Sequence, residues 1–255
     1  MKKMLQLFFA ISIVFPVAFL AVLSFGKNWT YPDLLPSTLN AANWAAIVKL
    51  DTGLFQSFLT SLCISVFVGV GSTALSFITS KFIAYSRYRS IFILIAYLPY
   101  VIAPVILAAT LQYYFIVLDL AGSIGGVLLA QFFIAYPFGV IILNNFWNHK
   151  IRAIEELAAT LGATKRQLWL KVLLPISKTA LLLCFFQTFL ISWFEYGLTS
   201  VIGLGVVKTL SINVFGFVNE ANIFYAALAS CLLIAPPMVL IWFNKRYIFS
   251  TDTVS

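Results

Sequence analysis

Charge is scarce in this chain of 255 residues: 9% of positions are Asp, Glu, Lys or Arg, 62% are apolar, and the mean hydropathy is +1.01. A soluble domain of this length neither needs so much apolar surface nor stays dispersed with so little charge, which excludes an ordinary soluble globular fold. Histidine occurs once, at His149, and of the eight acids only Glu195 falls inside a long apolar run. Serine–histidine chemistry within a membrane needs a histidine there, and a paired-carboxylate mechanism needs two acids; catalysis is therefore not expected. Cysteine is equally sparse. Cys63, Cys184 and Cys231 all lie in apolar runs without metal or disulfide spacing, and read as small buried apolar residues. No repeat or linker divides the sequence, so a single domain over 1–255 is expected.

What the chain does have is a set of long uncharged runs: Met4 to Gly26, Thr52 to Ser80, Ser90 to Leu118, Leu120 to His149 and Ala221 to Asn244. A sixth, Thr179 to Val207, is interrupted only by Glu195. Each holds the roughly 20 apolar residues that cross a hydrocarbon core as a helix, the form that satisfies its own backbone in lipid. The expectation is an all-α membrane protein with six transmembrane helices, near 5–25, 57–79, 91–114, 124–146, 179–202 and 222–243. Pro16, Pro99, Pro104, Pro137, Pro236 and Pro237 are expected to kink them.

The net charge of +8 reports topology rather than affinity for nucleic acid. With the N-terminus inside, the inner segments carry thirteen of the sixteen basic residues and the outer ones only Lys27, Lys49 and Lys208. That asymmetry puts both termini in the cytoplasm. Lys2-Lys3 before an apolar run also describes a signal peptide. The length of the run, and the lack of a small-x-small cleavage site before Gly26, favour a retained first span. The longest outer connection, Lys27 to Gln56, contains Trp29, Tyr31-Pro32, Leu35-Pro36 and Trp44, suited to an irregular segment resting at the membrane interface.

One polar, basic, helix-forming island stands apart, the inner loop 148–175 between spans four and five. Ala153 to Leu161 has helix-forming composition, and Gly162 can end that helix in a left-handed conformation. Thr164 suits the cap of a second helix with Leu168, Trp169, Val172 and Leu173 on one face, which Leu174-Pro175 should stop before span five. The small tip, Ala158, Ala159, Gly162 and Ala163, permits close packing, and Glu156, Lys165 and Arg166 can orient a partner by ion pairing. On chemistry alone, a docking surface and an interfacial amphipathic linker both remain open.

Glu156, Ala158, Gly162 and the closing Val172-x-Leu174-Pro175 resemble the EAA loop of permease subunits of binding-protein-dependent ABC importers. The family pattern is Glu-Ala-Ala, three residues, Gly, about nine residues, Ile-x-Leu-Pro; here Leu157 replaces the first Ala and Val172 the Ile. The six-span order, with this loop between spans four and five, is similar to the type I importer fold over nearly the whole chain. Within that family it most resembles the polyamine, ferric iron, thiamine and phosphonate group, through Trp29 to Pro36 and Ser192 to Thr199. The resemblance implies coupling to a cytoplasmic ATPase dimer through Glu156, Leu157, Ala158, Ala159, Gly162, Ala163, Lys165, Arg166, Leu174 and Pro175. Glu156 would pair with a basic residue of the ATPase, and Gly162 would provide the bend. It further implies a second permease subunit, an outer (periplasmic or extracellular) solute-binding protein, and a bacterial cytoplasmic membrane. ATP and Mg would sit on the partner, with no cofactor or metal on this chain.

Two features bear on cargo and energy. Glu195, flanked by Ser192 and Tyr196, reads either as a carboxyl that holds spans together or as part of a pathway for a cationic solute such as a polyamine or thiamine. Gly203 to Thr209 faintly resembles a phosphate-binding loop but lacks a glycine directly before Lys208 and a preceding strand, so a turn is expected. The alternative to an ATP-driven importer is a secondary transporter or channel, which would leave the inner loop without a task.

Overall fold

The computed structural model describes residues 2–28, 36–48 and 53–248. Trp29, Tyr31, Pro32 and Leu35 of the outer connection lie outside these residues. The described residues are mostly helical, with a single two-stranded ribbon. Among the described residues, five helices are long and apolar enough to cross a membrane: Lys3–Ser24, Leu54–Ala84, Ile124–Asn144, Lys165–Trp193 and Ile223–Trp242. The chain divides into two compact units, Met1–Leu62 with Lys208–Ile241, and Cys63–Val207 with Trp242–Ser255.

The first unit begins with α1 (Lys2–Ser24), which exposes Met4, Leu5, Phe8 and Phe9 as a lipid-facing helix does. Gly26–Asn28 then pairs antiparallel with Thr38–Leu39 and is followed by α2 (Ala42–Val48). Trp44 of α2 stacks on Phe25, with centroids 5.7 Å apart, and its indole N–H donates to Ser24 Oγ at 3.2 Å, so this aromatic has partners within the protein. Helix α11 (Leu210–Asn219) and most of α12 (Ile223–Ile248) complete the unit. α11 falls where the sequence suggested only an outer loop; its ten residues are too few to cross a bilayer.

The second unit holds most of α3 (Leu54–Ala84), and then α4 (Arg89–Val101), α5 (Pro104–Val117) and α6 (Ile124–Asn144). The third expected span, 91–114, is therefore two helices bent by 95°. Pro104 is the cause: it has no N–H to continue α4, and the residue before a proline is steered out of the helical region. Ala103, the residue before Pro104, accordingly adopts ψ 131°, and Ile102, which caps α4, is extended as well at ψ 134°. α6 starts cleanly because Ser123 Oγ accepts the Gly126 N–H at 3.0 Å.

Packing in this unit depends on small residues. Ser65, Ser72, Ser76 and Ser80 are buried on α3 at helical spacing, and Gly139 of α6 lies against Ser76, where an added Cβ would stand 2.5 Å from the serine hydroxyl. Lipid tails are as apolar as a leucine side chain, so helices in a membrane associate through such close approach and through hydrogen bonds between side chains.

Candidate functional site

The inner loop is a helix capped at both ends. Asn148 Oδ1 accepts the N–H groups of Lys150 and Ile151 at 3.0 and 3.1 Å, opening α7 (His149–Thr160). At the other end Gly162 sits at φ +82°. The Ala163 N–H returns to the Ala158 carbonyl and the Gly162 N–H to that of Ala159, at 3.1 and 3.0 Å, which closes the last turn as a Schellman motif. Thr164 and Gln167 then form a reciprocal capping box for the next helix. Both ends of α7 are thus closed by hydrogen bonds within the loop.

Ile151, Glu155 and Ala158 share its inner face, at intervals of four and three residues. The outer face carries Leu157, 61% exposed, and Leu161, 80% exposed, together with Ala159 and Glu156. Lys165 and Arg166 are exposed just beyond the turn, and Ala163 is half-buried in it. Glu156 pairs with Arg152 at 3.0 Å, an exposed pair four residues apart within α7. The structure thus brings Glu156, Leu157, Ala158, Ala159, Gly162 and Ala163 into one helix and turn, and Lys165 and Arg166 open the helix that follows.

Leu174 and Pro175 behave differently from expectation. They do not stop the second helix: α8 (Lys165–Gln167) runs through a π-helical stretch, Leu168–Leu173, directly into α9 (Leu174–Trp193). Pro175 has no N–H and would crowd a normal α-turn behind it. The wider turn absorbs this, as the Leu174 N–H reaching back five residues to the Trp169 carbonyl shows. Leu174 and Pro175 instead line an apolar groove of about 590 Å³ with Phe77, Trp169 and Phe185.

Sequence reading singled out Glu156 and missed its neighbour. Glu155 forms an ion pair with Lys81 of α3 at 2.8 Å, the two side chains only 14% and 17% exposed. The Lys81 ammonium lies 4.7 Å from the ring centre of Trp169 and 5.6 Å from that of Trp147. Trp147 donates to Ser80 Oγ at 2.8 Å, and Phe77 packs against both indoles. Nearby, burial raises the Tyr85 phenol above its usual range, with Glu155 adding to the effect and Arg152 opposing it. The signal available in the sequence was helical spacing from Ile151, which puts Glu155 rather than Glu156 on the inward face.

Glu195 lies in a break rather than inside a span. α9 ends at Trp193, and α10 (Gly197–Ile202) begins after Phe194–Tyr196. The Glu195 carboxylate accepts the N–H groups of Leu198 and Thr199, at 2.6 and 2.9 Å, and the Thr199 hydroxyl at 2.5 Å. From the position before the N-cap residue Tyr196, it therefore satisfies two of the unpaired backbone donors at the start of α10. Thr199 Oγ1 also accepts from Gln131 Nε2 at 2.9 Å, and Ser192 donates to Gln131 Oε1 at 2.5 Å and lies 3.2 Å from Ser65 Oγ. Ser65, Ser192, Gln131, Thr199 and Glu195 form one chain of polar contacts across α3, α9, α6 and α10. Ser192 is buried within it, and Tyr196 is half-buried beside Glu195 in the break. The 20 residues of α9 separate this network from the π-helical stretch by about 30 Å, so the two sets of candidate residues are distinct. The segment Gly203–Val207 is a turn, with Leu204 and Gly205 at positive φ, and a helix rather than a strand precedes it.

No family model and no curated protein matches the chain. Solved structures do. The chain is similar to one in a bacterial ABC transporter involved in the import of the acidic polysaccharide alginate, with 16% identity and a TM-score of 0.74 over 96% of this chain and 94% of that one. It is also similar to a chain of the MetNI methionine ABC transporter in its inward-facing conformations, with 19% identity and a TM-score of 0.55 over 81% and 97%. At these identities the likeness is one of fold. The chain therefore shares the fold of these two transporter chains, mostly helical and with several helices apolar enough to span a membrane.

Proposed function

We propose that this chain is the transmembrane permease subunit of an ATP-driven ABC importer. It would form half of a solute pathway and receive the work of ATP hydrolysis through the loop from Glu156 to Pro175. The observation that carries this reading is the doubly capped α7, which presents Leu157, Leu161 and Glu156 outward from a fold shared with ABC importers. A stiff helix with an exposed apolar face transmits displacement, whereas a pliable linker would absorb it. Taken as one span, the bent pair α4–α5 would make six spans in a single transmembrane domain. The charge asymmetry supports a cytoplasmic side for both termini and α7, and the resemblance to binding-protein-dependent importers supports a bacterial cytoplasmic membrane.

In this reading a dimer of ATPase subunits binds ATP and Mg and docks on α7, with Glu156 turning from Arg152 toward a basic residue of the ATPase. This chain makes and breaks no bond itself. A second permease subunit completes the pathway, and an outer binding protein delivers solute. The fold alone does not set the cargo, since the two similar transporters serve an acidic polysaccharide and methionine. The polyamine, ferric iron, thiamine and phosphonate group remains the expected class from the loop and span-five motifs. Glu195 would favour a cation if it also faces the passage.

Co-purification tests the reading. An ATPase should accompany the wild-type chain and be lost with Glu156→Lys or Gly162→Pro. ATP-independent solute flux by the isolated chain would overturn it in favour of a channel or secondary transporter.

A further inference from the structure

Two ion pairs touch α7, and they differ in kind. Arg152–Glu156 lies on the exposed face within one helix, although the Arg152 guanidinium also stands 5.7 Å from the ring centre of Tyr85, just beyond α3. Lys81–Glu155 joins α7 to the last turn of α3, is largely shielded from water, and is boxed by Trp147 and Trp169. Exposed pairs contribute little, but breaking one partner of a shielded pair leaves a charge without compensation. The aromatic faces add to the hold on the ammonium. Beneath the pair, Phe77, Trp147, Ile151 and Leu173 pack in one buried cluster that joins α3, α7 and the π-helical stretch.

We propose that Lys81 and Glu155 form a latch that makes α7 and the inner end of α3 a single mechanical element. They are positioning residues, and their role rests on the reading of α7 as the ATPase-docking helix. Glu155 precedes the Glu-Ala-Ala pattern by one position, so the docking motif and the latch occupy adjacent residues on opposite faces of one helix. From Lys81, α3 runs sixteen residues back to Ser65, about 24 Å of helix, where the polar network reaches Glu195 and α10. A displacement of α7 is thereby passed to α3 and on to the far end of the unit. Without the latch, the apolar cluster alone would tie α7 to α3.

Hydrogen exchange of the full-length chain in lipid nanodiscs tests the attachment first. Lys81→Met and Glu155→Gln should each speed amide exchange across residues 149–160 by about tenfold or more. Lys81→Arg keeps the charge and can stack on the indoles, and should lie closer to wild type than Lys81→Met; Arg152→Met, which loses only the exposed pair and the Tyr85 contact, should rise by much less. Wild-type exchange in Lys81→Met and Glu155→Gln, or an equal rise in Arg152→Met, overturns the latch. A second arm adds the co-purified ATPase with ATP and vanadate. Wild type should then change exchange in both 149–160 and 197–202, and Glu155→Gln only in 149–160. An equal response at 197–202 in Glu155→Gln overturns transmission through the latch. If no ATPase binds the wild-type chain, the importer reading and the transmitting role fall together, while the first arm still decides whether the pair fixes α7.

Discussion

The Ser192 hydroxyl donates to the Gln131 carboxamide oxygen at 2.5 Å, tying α9 to α6 where both side chains are buried. Gln131 also donates to Thr199, so one amide serves two neighbouring helices. Gln131→Leu should destabilise the full-length chain in detergent by about 1–2 kcal/mol, the range for two interhelical hydrogen bonds in a membrane. Ser192→Ala should cost less. In a double-mutant cycle the two should add to less than their sum, because each removes the same bond. Strict additivity in thermal unfolding would show that the contact contributes nothing.

Glu195 offers a cleaner separation of roles. As the cap of α10 its carboxylate takes two backbone N–H groups and a hydroxyl, and Glu195→Ala should cost about 0.5–2 kcal/mol, as other lost helix caps do. Glu195→Gln retains one acceptor oxygen and should fall between Ala and wild type. If Glu195 also lines a cation pathway, Glu195→Gln changes solute selectivity in uptake assays beyond its effect on stability. Unchanged selectivity with lowered stability leaves capping as its whole role.

The contrast between Glu195 and Gly162 marks where the sequence was legible. Gly162 needs only its neighbours: a helix-forming run, a glycine, then a Thr with Gln three residues later, all local signals that the structure reproduces as a Schellman turn and a capping box. Apolar runs located the long helices for the same reason, since a bilayer demands length and little else. The break at Glu195 was hidden because an acid in an apolar run looks the same whether it caps a new helix or faces a cavity. Pro175 misled in another way. A proline ends a helix only if the turn before it cannot widen, and the π-helical stretch is a tertiary outcome. The serines of α3 were passed over although Ser72, Ser76 and Ser80 recur every four residues, a spacing that places them on one face.

That serine face leads to a packing prediction. An alanine at Gly139 would put its Cβ 3.0 Å from Ser76 Cβ and 3.3 Å from Cys184 Sγ, as well as against the Ser76 hydroxyl. Gly139→Ala should therefore destabilise the chain by about 1–3 kcal/mol through overpacking, although alanine is the better helix former. In a Ser76→Gly background the same change should cost less, since both Ser76 atoms are gone and the Cys184 Sγ contact at 3.3 Å remains. Equal costs in both backgrounds, measured by thermal unfolding, would place the strain elsewhere.

At Gly162 the cost should be conformational alone. Nothing lies within 4 Å of where a Cβ would stand, yet φ is +82°. Gly162→Ala should weaken the end of α7 by about 1–2 kcal/mol, visible as faster exchange of the Gly162 and Ala163 amides, with the rest of the chain unchanged. Wild-type exchange there would mean that the left-handed turn is not held in solution.

Leu161 allows docking to be tested apart from folding. It is 80% exposed one residue before the turn, and Leu157, on the same helix, is 61% exposed. Leu161 is the C-cap residue of α7, and an acid there meets the negative end of the helix dipole at a cost of about 0.3–1 kcal/mol. Leu161→Asp should accordingly unfold only slightly below the wild-type temperature. Its carboxylate would nevertheless be desolvated by any partner that covers this face, and an unpaired buried charge is costly. Binding of the ATPase in a pull-down titration should therefore weaken by about tenfold or more, a cost of at least about 1.4 kcal/mol. Wild-type affinity in Leu161→Asp would move the docking surface off this end of α7 and toward Lys165 and Arg166.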